Sequence, residues 1–303
     1  MLLFLIFPAK FKTKNMSKNR FLIMVLFFSL AINLLYSQSG KVIIKPIRHP
    51  DNSVDFTYTK AAVGSYIVSV NFGKLVNAAA SVTKFNATAN SGLLFTLKPI
   101  SKNKKIDFLY KYLTTQGYLN PTVNPDITYS LPFKEGKVMK IYAITRNDVS
   151  PERWKSYLVY SRNQDTVFSM RKGTVVIIRD FFEKDQDEET QKTTTIVKKQ
   201  IIIEHADGTY ATYSGVEEKS ISVTLGQKVD AQTQLGIMDR YNEDTFKFVF
   251  NVYYHEQDEK NKKNFRGVEV AFSPNFLTQN GVGKLIDKRE YVVTYNDSIR
   301  LQE

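Results

Sequence analysis

The chain contains no cysteine and only three histidines, His49, His205 and His255, in 303 residues. Without thiols there is no disulfide, no cysteine nucleophile and no thiolate-ligated zinc. A chain without disulfides has to be held by its hydrophobic core, and 43% hydrophobic residues over this length suffice for one or two cores. Acidic residues are also short: 30 against 42 Lys and Arg, a formal net charge of +12. A basic excess suits polyanionic surroundings.

Long apolar runs are scarce too, and the longest is at the start. Lys18 and Arg20 precede the run Phe21–Leu35, and Tyr36, Ser37 and Gln38 follow. A basic start, an apolar stretch and a small residue at the cut predict a signal peptide over residues 1–37, cleaved near Ser37-Gln38. The run is short for a bilayer span of roughly 20 apolar residues. No cysteine follows it to carry a lipid anchor. Removing the leader cations Lys10, Lys12, Lys14, Lys18 and Arg20 lowers the net charge from +12 to +7. The expected location is the periplasm or the cell surface. Membrane contact is then only through the transient leader, and nucleic acid is a poor partner for an exported chain.

The remainder reads as all-β. In residues 38–120 the segments Lys41–Lys45, Val54–Tyr58, Tyr66–Phe72 and Leu93–Leu97 are short, β-branched or aromatic, and punctuated by Gly64, Gly73 and Gly92, which predicts a β-sandwich-like module. Ile106–Leu113 fits a short helix or a final strand. Pro121 and Pro125 mark 119–128 as a linker. The acidic stretch from Phe181 to Lys192 fits no EF-hand and reads as a solvated hairpin tip. His49, in His-Pro-Asp-Asn, and His255, among Glu256, Asp258 and Lys260, both read as loop residues.

The most informative stretch is residues 200–240. An apolar strand, Ile201–Ile203, meets the turn His205-Ala206-Asp207-Gly208, and Thr209–Tyr213 returns as its partner. Asp-Gly between such runs is a strong hairpin signal. Asp207 is expected to serve the turn itself, accepting backbone N–H bonds. The order Ile203-x-His205-x-Asp207-Gly208-x-Tyr210-x-x-Tyr213, then Gly226-Gln227-x-Val229, then Leu235-Gly236, resembles peptidase family M23, the zinc-dependent peptidoglycan endopeptidases of LytM and lysostaphin type. Tyr129-x-Leu131-Pro132-Phe133-x-x-Gly136 is similar to the entry sequence of the same family. Together these cover roughly residues 129–255. The implied architecture is an N-terminal β-sandwich-like module (38–120), an antiparallel LytM-like, duplicated-hybrid-motif domain (121–255) and a β-rich extension (256–303).

Where the family carries its metal site, this chain departs from it. No histidine lies between His49 and His205. The aspartate of the first motif falls on Leu158, Val159 or Tyr160. The two histidines of the last motif fall on Lys247 and Val249, and its glutamate on Asn251. The histidine of "Y-x-H-L" is Gly215. Zinc hydrolysis needs about three protein ligands and an open position. The resemblance therefore implies a pseudoenzyme with no metal ligands, no catalytic residues and no cofactor, zinc belonging to the active relatives. Its metal-free groove, lined by His205, Asp207, Tyr210, Tyr213, Val249 and Asn251, would bind peptidoglycan or an envelope protein such as a cell-wall hydrolase. Two alternatives stand beside it: an active zinc endopeptidase with non-standard ligands, and a structural subunit of an envelope complex.

Overall fold

The computed structural model describes residues 42–144, 155–186, 193–260 and 266–295. The leader and its cut site and the acidic residues 187–189 lie outside them. The described residues are all-β, with one short 3-10 turn at Glu218–Ser220. None forms a helix long and apolar enough to cross a membrane.

Strands β1 (Val42–Arg48), β2 (Val54–Lys60), β3 (Tyr66–Val76), β4 (Lys84–Ala87), β5 (Ser91–Leu97) and β6 (Asp107–Gln116) form two three-stranded sheets, β1-β2-β5 and β4-β3-β6. They face each other across an aromatic core. Phe56 is fully buried, stacks on Phe95 at 4.6 Å and meets Phe72, Phe108 and Tyr110 edge-on or tilted. The helix-or-strand alternative at Ile106–Leu113 resolves to the strand β6, whose residues alternate between more and less exposed positions.

The following strands are β7 (Thr128–Tyr129), β8 (Val138–Ile144), β9 (Ser156–Ser161), β10 (Thr166–Phe168), β11 (Gly173–Gln186), β12 (Thr193–Glu204), β13 (Tyr210–Val216), β14 (Lys228–Val229), β15 (Gln234–Ile237), β16 (Phe246–Glu256), β17 (Val268–Phe272), β18 (Asn275–Thr278), β19 (Gly281–Gly283) and β20 (Arg289–Val292). A nine-stranded sheet runs β14-β11-β12-β13-β16-β9-β8-β20, and β17 adds to the far half of β16. The β12–β13 hairpin turns at Gly208, whose φ of 81° is the left-handed conformation glycine reaches without strain. Residues beyond 256 are part of this body: β17 pairs β16, β20 pairs β8, and Phe276, Leu285, Tyr291 and Val293 enter the main core.

Register fixes which side chains share a face, because partners in an antiparallel ladder point the same way. Ile201, Tyr213, Phe250 and Tyr157 pair in succession across four strands and lie in the main core. On the opposite face the matching row is Gln200, Ser214, Val249 and Leu158. The sandwich abuts one end of this second face. Ser65 donates its backbone N–H to Glu204 at 2.8 Å, its hydroxyl also bonds Glu204, and Gln116 donates to the Val176 carbonyl at 2.9 Å. The linker is tied down as well: Leu119 N–H donates to Asn86, and Asn120 N–H donates to the His255 carbonyl.

His255 is not a loop residue. It sits inside β16, opposite Glu269 of β17, with 6% of its surface exposed. The acidic residues after it had suggested a loop, but the alternation of β16 continues through Glu256. His49, by contrast, is exposed and bonds Asp55 at 2.9 Å.

Candidate functional site

The turn is a buried polar knot. Asp207 accepts the Thr209 N–H at 3.1 Å and hydroxyl at 2.7 Å, and receives Arg171 at 2.9 Å. Arg171, only 4% exposed, also donates to the Tyr129 hydroxyl at 3.1 Å and lies 5.5 Å from that ring's centre. Burial opposes the Arg171 charge, but Tyr129 and Asp207 more than offset it, so the guanidinium stays charged. Burial would likewise raise the Asp207 carboxyl, but Arg171 and Thr209 hold it below its ordinary range. His205 Nδ1 is 2.7 Å from the Lys172 carbonyl. A carbonyl only accepts, so Nδ1 carries the proton and Nε2 keeps its lone pair. Burial, then the Arg171 charge, push its pKa down to about 3, so the ring is neutral.

The predicted groove residues do not come together. Tyr210 and Tyr213 are three residues apart on one strand and point to opposite faces of the sheet. Tyr213 is in the main core, where its hydroxyl accepts the Met170 N–H at 2.8 Å. Tyr210 is buried on the other face, stacked on Tyr253 at 5.3 Å. Asn251 is buried too, bonded to Thr212 beside it. Only Val249 of this set is half-exposed on the outer face, and His205 and Asp207 belong to the turn beyond the strand ends. The groove floor expected from the sequence is therefore corrected: these side chains are spread over two faces and a turn, and most are packed.

What does occupy the outer face near the positions that the resemblance sets against the family's metal ligands is a run of cations and rings. Lys247 pairs with Tyr160, and its ammonium lies 4.6 Å from the centre of the Tyr241 ring and 5.9 Å from that of Tyr160. Lys198 approaches Tyr241 at 5.3 Å, and Lys140 approaches Tyr142 at 5.6 Å. Tyr160 meets Tyr142 and Tyr241 at centroid distances of 6.0 and 5.9 Å. Sequence reasoning missed this surface, because its members come from four separate segments.

Zinc does not fit the donors at these positions. Lys247 offers an ammonium, Val249 and Leu158 offer alkyl groups, and the Asn251 carbonyl oxygen is taken by Thr212. Among the described residues no three of His, Asp and Glu are grouped as a metal would require. Gly215 adds a backbone reason. Its φ is 91°, and a Cβ built there would stand 2.5 Å from the Lys247 carbonyl oxygen. The position that corresponds to the histidine of "Y-x-H-L" cannot carry a side chain without moving β16.

Two cavities lie between the sandwich and the sheet. One, of about 760 Å³, is bordered by His205, Lys60, Lys172 and Lys228. The other, of about 660 Å³, lies on the outer face at the end of β16.

No family model matches the chain, and no curated protein matches it. Among solved structures, a crystal structure from Pseudomonas aeruginosa provisionally assigned to peptidase M23 aligns over 70% of this chain and 87% of its own length, at 11% identity and a TM-score of 0.29.

Proposed function

We propose that the protein is an exported, non-catalytic relative of the M23 endopeptidases that binds peptidoglycan through the cation–aromatic surface of its large sheet. The observation that carries this reading is the exchange at Gly215, Lys247 and Val249. Where the resembled family holds its histidines, this chain has a glycine that admits no side chain, an ammonium and an isopropyl group. In their place Lys247 and Lys140 alternate with Tyr160, Tyr241 and Tyr142. Ammonium groups attract the carboxylates of a cell-wall polymer, and tyrosine rings offer flat, apolar faces with a polar edge, so the surface can hold a glycan–peptide chain without cutting it.

Co-sedimentation with insoluble peptidoglycan tests this. The purified chain is expected to pellet with the polymer, and the double change Lys247→Ala with Tyr160→Ala to leave it in the supernatant while its unfolding transition is kept. A wild-type chain that stays in the supernatant at low salt would contradict the proposal.

A further inference from the structure

The larger cavity, between the sandwich and the turn at His205, has a buried acceptor that the fold leaves unfilled. His205 borders the cavity and is 2% exposed, and its Nε2 has no hydrogen-bond partner among the described residues. The ring cannot turn to find one. Its Nδ1–H is committed to the Lys172 carbonyl at 2.7 Å, and the Tyr129 ring stands edge-on to it at 5.5 Å. In this tautomer Nε2 only accepts. A buried acceptor left unfilled is costly, and a ligand hydroxyl or N–H at this wall would relieve it.

The charged residues of the cavity divide into two groups. Lys60 and Glu204 are used by the fold. The Lys60 ammonium donates to the Ala62 and Gly64 carbonyls at 3.1 and 2.6 Å, and Glu204 accepts the Ser65 N–H at 2.8 Å and the Ser65 hydroxyl. Lys172, Lys228 and Asp230 border the cavity, are exposed, and form no ion pair among the described residues. Two ammoniums against one carboxylate leave an excess of one positive charge, which favours an anion. Tyr118 adds a half-buried ring to the wall. It lies over the Gly208 turn, where an added Cβ would stand 2.9 Å from that ring.

We infer that this cavity is a binding site for a small anionic sugar. The anionic group meets Lys172 and Lys228, a hydroxyl donates to His205 Nε2, and the apolar face of the sugar lies against Tyr118. An ammonium acts as a point charge and accepts a carboxylate without a fixed geometry. A tyrosine ring offers the flat apolar surface that a sugar face covers. The volume of about 760 Å³ is in the range that holds a small ligand. The site shares no residue with the cation–aromatic surface of Lys247, Lys140 and their tyrosines. It does not rest on the envelope reading.

The test titrates D-glucuronate, D-glucose and hexanoate into the purified chain by calorimetry at low salt, with the imidazole NMR signals followed in parallel. Glucuronate carries both the charge and the hydroxyls, glucose lacks the charge, and hexanoate lacks the hydroxyls. Glucuronate is expected to bind saturably and to move the His205 signal, which is assigned among the three histidines by its loss in His205→Gln. Where that variant does not fold, the calorimetry decides alone. Glucose and hexanoate should each bind about tenfold more weakly or worse, as loss of a charge-assisted or buried hydrogen bond does. The double change Lys172→Gln with Lys228→Gln should weaken glucuronate by about tenfold or more and leave glucose unchanged. Both lysines are exposed, so this variant is expected to fold. The inference is overturned by the absence of saturable glucuronate binding, by a His205 signal that glucuronate leaves unmoved, by glucose or hexanoate binding as tightly as glucuronate, or by equal glucuronate binding to the double variant.

Discussion

On the inner face of the large sheet, Ile201, Tyr213, Phe250 and Tyr157 form an unbroken buried row. One residue along each strand, the outer row reads Gln200, Ser214, Val249 and Leu158, with Arg179 bonded to Gln200 and Gln200 to Ser214 at 2.7 Å. The same four strands thus carry a dry apolar layer on one side and, on the other, a polar ladder flanked by lysines, tyrosines and a ligand-sized cavity. The strand period of two lets stability reside in one set of side chains and leaves the alternate set for the proposed binding.

The comparison is sharpest at neighbouring residues of β16. Phe250→Ala on the inner face is expected to cost roughly 3–5 kcal/mol, by lost burial and a cavity, measured as a lower urea midpoint. Val249→Ala, one residue away and half-exposed, should cost about 1 kcal/mol or less. Equal losses at the two positions would break the distinction between the faces.

Acid should act next most strongly. His205 and His255 are buried with native pKa values of about 3 and about 4, below the unfolded value of 6.5. Below pH 6.5 the unfolded chain takes up protons that the native chain refuses, so stability is complete above 6.5 and falls as pH drops towards 4. The expected loss is on the order of a few kcal/mol across that window. His255→Gln should flatten the slope of the urea midpoint against pH between 6.5 and 4. A slope unchanged by that substitution would mean that His255 is not held neutral.

Gly215→Ala should follow, at about 1–3 kcal/mol, because it forces a side chain into left-handed backbone and against the Lys247 carbonyl. Retention of full stability in that variant would remove the backbone reason for glycine at this position. The smallest expected stability effect is at Lys247→Ala, about 0.5 kcal/mol or less on the outer face, with the loss read instead in peptidoglycan co-sedimentation.

The all-β class and the β12–β13 hairpin were legible because their signals are local: β-branched runs, glycine punctuation and an Asp-Gly turn. The strands at 54–60, 66–76 and 91–97 contain the expected segments Val54–Tyr58, Tyr66–Phe72 and Leu93–Leu97, read from the same cues. The groove was misread because a motif resemblance names residues without their faces. The spacing of Tyr210 and Tyr213 already placed them on opposite sides of a strand, and that parity outweighs the resemblance. His255 was misread because charged residues after Glu256 masked the end of an alternating strand. Arg171, Arg179 and Tyr253 were not found because what makes them notable is nonlocal. Arg171 meets Tyr129 and Asp207 only through tertiary packing, and the cavity beside Tyr253 exists only because the sandwich and β17 close around it.

The most direct test of metal-free binding by the outer face is the zinc content of residues 38–303, purified without chelator, reloaded with zinc and desalted. The account predicts far less than one zinc per chain. Close to one tightly held zinc per chain would contradict it and require ligands that this account does not place.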